Sequence, residues 1–240
     1  MNEFKGSQGA ILELISYEDF FVQLKDIIGD NTIEFSDKEK YLPESIMSPK
    51  EAELKDFLKN TEWENLTDPI INWWLDIIKP NTRTPNWDFI STCTINGKKG
   101  LLLVEAKAHS KEIKENDRCG SKNESNQNKI ETAINQAKDN INMNNSFSIS
   151  ISRDKCYQLS NRIAHAWWLA SQGVPVILLY LGFLNCDEMK ENGNIFKDDL
   201  EWQECFKNYS SKVGVNCLIN ESINCNKSEF KLICRSYPKI

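Results

Sequence analysis

Positive charge is in short supply in this chain: 29 Lys and Arg against 35 Asp and Glu leave a net charge of −6 over 240 residues. That argues against a protein that coats nucleic acid by charge alone, because phosphate neutralisation normally supplies most non-specific affinity. No apolar run approaches the ~20 residues that cross a bilayer, and no secretory hydrophobic segment follows Met1. The expectation is therefore a soluble, cytoplasmic protein with no membrane partner. Eight cysteines are present, but none form a C-x-x-C pair, and the spacing of Cys217, Cys225 and Cys234 does not match a zinc ribbon. Reduced, packed thiols are expected. Histidine is scarcer still: His109 and His165 are the only two. A zinc hydrolase built on them would need two distant segments to meet beside a carboxylate.

The charge is unevenly spread. Residues 1–80 carry 17 Asp and Glu against 8 Lys and Arg, a net of −9, whereas residues 81–240 carry 18 against 21, a net of +3. A polyanion should meet the second part. The length fits one domain, 1–240, with an acidic helical part at 1–80, a core at 81–185 and a closing layer at 186–240.

The chain is organised around Pro85 to His109. Trp87 to Ile95 alternates and is rich in β-branched and aromatic residues, and Asn96-Gly97-Lys98-Lys99-Gly100 supplies turn chemistry. Leu101 to Ala108 is nearly all apolar, as in a strand covered on both faces, so Glu105 and Lys107 at its end need a reason to be there. Alternation puts these two on one face, opposite Val104 and Ala106, and pairing through the turn brings Asp88 near Glu105. Two carboxylates suit a hard cation such as Mg²⁺ or Mn²⁺, and a lysine beside them can stabilise or orient developing charge.

Asp88 followed by Glu105-Ala106-Lys107 after a tight hairpin resembles the PD-(D/E)xK nuclease superfamily, although Pro85 stands three residues before Asp88 rather than next to it. The resemblance implies an α/β fold of the restriction-endonuclease type, a mixed central sheet flanked by helices. It also implies a divalent-metal site at Asp88 and Glu105, with Lys107 as the third catalytic residue, hydrolysing phosphodiesters in DNA or RNA. Members of the superfamily sometimes draw a further carboxylate from a helix before the hairpin, for which Glu62, Glu64 and Asp68 stand in place, although acidic residues at a helix start commonly serve as caps.

Further along, Ser110 to Lys129 is a long polar tract of the kind that binds substrate or stays disordered, followed by a helix from Lys129 to Met143. A helix over Tyr157 to Gln172 carries Tyr157, Gln158, Asn161, Arg162 and His165 on one polar stripe without an acidic residue. A solvated face normally mixes Glu with Lys, so this stripe is expected to border the cleft. Val174 to Phe183 then reads as a buried strand lying parallel in the sheet. Together with His109, these motifs over residues 85 to 185 resemble an uncharacterised bacterial family of PD-(D/E)xK-like proteins, which supports Tyr157, Gln158, Asn161, Arg162, His165 and His109 as substrate-binding or supporting residues. Earlier, helices are expected over Tyr17 to Ile28, from Pro49 through Leu58, and from Pro69 to Ile78. The rival to a nuclease is the same fold kept as a catalytically silent binding or scaffold module, which the acidic composition favours.

Overall fold

A computed structural model describes residues 4–79 and 84–239. Its centre is the hairpin of β5 (Phe89–Ile95) and β6 (Lys98–Lys107). Asn96 and Gly97, with φ of 50° and 73°, make the two-residue turn whose twist matches that of paired strands, and Ile95 stands opposite Lys98. Gly100 is not part of the turn. It sits within β6, where a Cβ would come within 2.7 Å of the Pro175 carbonyl oxygen.

From this hairpin the sheet grows both ways, as a mixed sheet of seven strands among the described residues. β1 (Ile33–Glu34) and β2 (Tyr41–Leu42) both line the outer edge of β5, antiparallel. On the other side β7 (Val176–Leu184) runs parallel to β6, β9 (Glu229–Pro238) parallel to β7, and β8 (Ser222–Asn224) antiparallel to β9. The continuous apolar composition of β7 has the expected cause: every residue in it is buried, because both faces of the sheet are covered. The C-terminal strand is thus a member of the sheet.

Helices α1 (Gly6–Leu14) and α2 (Phe20–Ile28) cover one face, packing on Leu102, Val104, Ala106 and Ala108. The other face is covered by α3 (Leu54–Leu58), α4 (Thr67–Trp74), α5 (Glu124–Asn144), α6 (Tyr157–Ser171) and α7 (Asp199–Ser211), over Leu101, Leu103 and Tyr180. The result is a mixed α/β architecture with helices flanking the sheet. No helix among the described residues is long and apolar enough to cross a membrane.

Several elements differ from their sequence patterns for local reasons. The segment after Pro49 forms β3 (Ala52–Glu53), which pairs with β4 (Asn86–Trp87), before the short α3 begins. A two-residue strand has no periodicity to read. Helix α4 ends at Trp74 and not at Ile78, because the Asn126 side chain takes the chain over: its Oδ1 accepts from Asp76 N and Ile77 N at 3.0 and 2.7 Å, and its Nδ2 donates to Ile77 O at 3.0 Å. Helix α5 starts at Glu124, five residues before Lys129, behind the N-cap Asn123, whose side chain accepts from Asn126 N at 2.9 Å. The tract from Ser110 is consequently shorter and ordered.

Candidate functional site

Alternation along β6 sends Leu101, Leu103, Glu105 and Lys107 to the same face, toward α6. The first two complete the apolar layer. The last two stand where that layer gives way to a cleft of about 1140 Å³. Across from them the first strand breaks: β4 leaves to pair with β3, so the ladder between β5 and β6 ends at Phe89 and Val104. Asp88, at the break, falls opposite Glu105, and its Oδ2 accepts the N–H of Ala106 at 2.7 Å, a donor that β5 no longer reaches. The residue that interrupts the strand is thereby held by the next strand.

Helix α6 delivers the fourth group. Arg162 Nε donates to Glu105 Oε2 at 2.7 Å, Nη1 to Asn161 Oδ1 at 2.9 Å and Nη2 to Asn86 O at 2.5 Å, while the guanidinium carbon lies 4.4 Å from the centre of the Trp87 ring. Lys107 Nζ donates to the other oxygen of Glu105. Both carboxylate oxygens of a side chain only 2% exposed therefore meet a cation. Burying charge without such partners would cost several kcal/mol per ion.

These contacts divide the two carboxyls. Asp88 is pushed up to about 7, first by burial and then by the negative charge of Glu105. Glu105 feels burial most strongly too, but Arg162 and Lys107 outweigh it and hold the carboxyl below its ordinary range. Lys107 is the converse: burial opposes its charge, Glu105 and Asp88 overcome that, and its ammonium is held more firmly than usual. At neutral pH the site is a fixed Glu⁻ between two cations with an Asp close to its titration point.

The start of α6 is anchored by the polar tract. Cys156 adopts φ 46°, and the Asp117 carboxylate accepts from Tyr157 N and Gln158 N at 2.6 and 2.8 Å. Cys156 N donates to Glu115 O, and Cys119 N to Arg153 O, so residues 110–123 form a wall pinned to the helix. Tyr157, Gln158, Asn161 and Arg162 all line the cleft, as does His109. His109 is extended and its Nδ1 has no hydrogen-bond partner among the described residues. The backbone N–H groups of Ala108 and His109 both donate to the Glu112 carboxylate, at 2.5 and 3.2 Å.

His165 does not belong with them. One turn further along α6 it has left the cleft, lies 4.4 Å from the Trp74 ring and 5.4 Å from that of Trp73, and is fully buried. Its Nδ1 is 2.8 Å from Asn161 O, and burial pushes its pKa down to about 3, so it is a neutral core residue. With one histidine in the cleft and the other in the core, the zinc reading loses its ligand pair. Glu62, Glu64 and Asp68 do not line the cleft either. Glu51, from the unpredicted β3 edge, does, and accepts from Asn86 Nδ2 at 3.3 Å. Glu51, Asn86 and Asp117 escaped the sequence reading because none stands in a motif; only strand pairing and capping bring them here.

Comparison with protein-family models, with curated proteins and with solved structures returned no match. The donor chemistry of the site is therefore the guide. Among the described residues no group of three or more His, Cys, Asp or Glu side chains is gathered for a metal ion. Asp88 and Glu105 nevertheless fit a hard divalent cation that keeps several waters, as Mg²⁺ does. An ionised carboxylate offers about four lone-pair sites, and Lys107 and Arg162 engage only two of those on Glu105.

Proposed function

We propose that this protein is a divalent-metal-dependent phosphodiesterase acting on nucleic acid, of the PD-(D/E)xK type that its hairpin resembles. The observation that carries the reading is the meeting of Asp88, Glu105 and Lys107 on one face at the floor of one cleft. Mg²⁺ or Mn²⁺ held by Asp88 and Glu105 would supply Lewis acidity and a bound water of lowered pKa. The remaining chemistry falls to the chain. Asp88 becomes an anionic ligand as pH rises through about 7. Arg162, tied at three points, keeps Glu105 oriented. Lys107 stays an ammonium, so it serves as a positive charge for the developing phosphorane and not as a proton acceptor. Asn161 and Gln158 offer neutral polar groups along the same wall. Eight thiols without a disulfide suit a reducing, cytoplasmic setting.

The test is cleavage of labelled DNA and RNA at low salt with Mg²⁺ or Mn²⁺, wild type against Lys107→Met. Wild type should cut, and the variant should cut roughly 100-fold more slowly or worse. One specific observation favours the silent module: Glu105 is already paired on both oxygens without a metal. If wild type shows neither metal binding by calorimetry nor cleavage, the network is a structural ion cluster and the module is the better account.

A further inference from the structure

We infer, resting on the hydrolase reading above, that the cleft takes a single unpaired strand of nucleic acid in preference to a duplex. Its volume of about 1140 Å³ leaves room for a stretch of polymer. Two chemistries meet along its rim. The wall at 110–123 contributes Lys111, Lys114 and Lys122, all exposed and, among the described residues, none within ion-pair distance of a carboxylate. By contrast Lys212, which approaches the same wall from outside the cleft, is paired with Glu115 at 3.1 Å. Ile77 and Pro85 contribute apolar surface over the buried Leu75, and Ile77 keeps 38% of its surface in solvent. Asn126 grips the backbone on either side of that side chain, so the apolar surface is held out rather than folded in.

Unpaired lysines complement phosphates. Apolar surface complements the faces of bases, and those faces are available only when the bases are neither paired nor stacked in a helix. The floor argues the same way. Glu105 and Lys107 have side chains 2% and 7% exposed, so the reacting phosphate must be carried down between the walls. A duplex, stiff over about 50 nm, cannot fold its backbone into such a recess without being unwound, whereas one strand can.

The experiment is fluorescence anisotropy of short labelled single-stranded DNA, single-stranded RNA and the matching DNA duplex, in EDTA so that nothing is cut. Wild type should bind a single strand at least about tenfold more tightly than the duplex, and the stronger of the DNA and RNA arms identifies the sugar. Lys111→Glu/Lys114→Glu/Lys122→Glu should weaken binding and flatten the plot of log K against log salt by about 2. Ile77→Asp should weaken single-strand binding while duplex binding stays as it was. Equal or tighter binding of duplex by wild type, or an unchanged salt slope in the triple variant, overturns the inference. Cleavage with Mg²⁺ separates the two ideas: single strands bound but never cut would remove the hydrolase and leave the strand site, whereas duplex cut in preference to single strands would keep the hydrolase and remove this proposal.

Discussion

The two faces of β6 differ by one step in register and by everything in chemistry. Toward α1 and α2 the strand presents Leu102, Val104, Ala106 and Ala108, an unbroken apolar row. Toward α6 it presents Leu101 and Leu103 and then Glu105 and Lys107, although these charged residues are buried nearly as completely as their neighbours. Depth therefore does not separate core from site. What separates them is partner supply: the α6 face offers a guanidinium, an amide and a strand break where the α1/α2 face offers only hydrocarbon. Lys107 accordingly is a buried residue, and truncating it should cost stability as well as charge.

The sharpest way to break this comparison is Glu105→Gln. It removes the one charge shared by two buried cations, and unfolding in urea at pH 7 should show a loss of about 3–5 kcal/mol. Stability within 1 kcal/mol of wild type would mean that the network is solvated and the contrast of faces is false. Leu102→Ala, on the opposite face of the same strand, should cost about 3 kcal/mol through cavity formation while leaving metal binding and cleavage per folded molecule unchanged. If it altered metal affinity, the two faces would not be independent.

Asp88→Asn should give a smaller change of opposite sign. The folded protein holds the Asp88 proton more tightly than the unfolded chain does, so ionisation costs stability as pH climbs from the ordinary carboxylate value through about 7. Asparagine keeps an oxygen for the Ala106 N–H and removes that cost. In metal-free buffer the variant should be more stable than wild type at pH 8, by on the order of 2 kcal/mol, and the advantage should fade as pH falls toward 4. An advantage independent of pH would place its origin outside the titration of Asp88.

The legible parts of the site were those written locally. The hairpin, the approach of Asp88 to Glu105, and the shared face of Glu105 and Lys107 all follow from a two-residue turn and a period of two. The polar stripe of α6 was legible as far as Arg162, four of its five members lining the cleft. It failed at His165, because periodicity along a helix assigns a side but not how far along the axis the cleft extends. Which of its two alternatives the polar tract takes is not legible for a related reason: its order comes from Asp117 capping a helix 40 residues away, and composition carries no trace of that contact.

By itself, then, the sequence determined the long strands, the central hairpin and the identity of three charged groups at its end, since backbone alternation and turn geometry act over a few residues. Only the tertiary structure decided their electrical state. The position of Asp88 near its titration point, the pairing of Glu105 on both oxygens and the firm charge of Lys107 all depend on α6 laying Arg162 across β6 and on the walls excluding water. Coulomb energies depend on distance and on the medium between charges, and both are set by which distant segments the fold brings together.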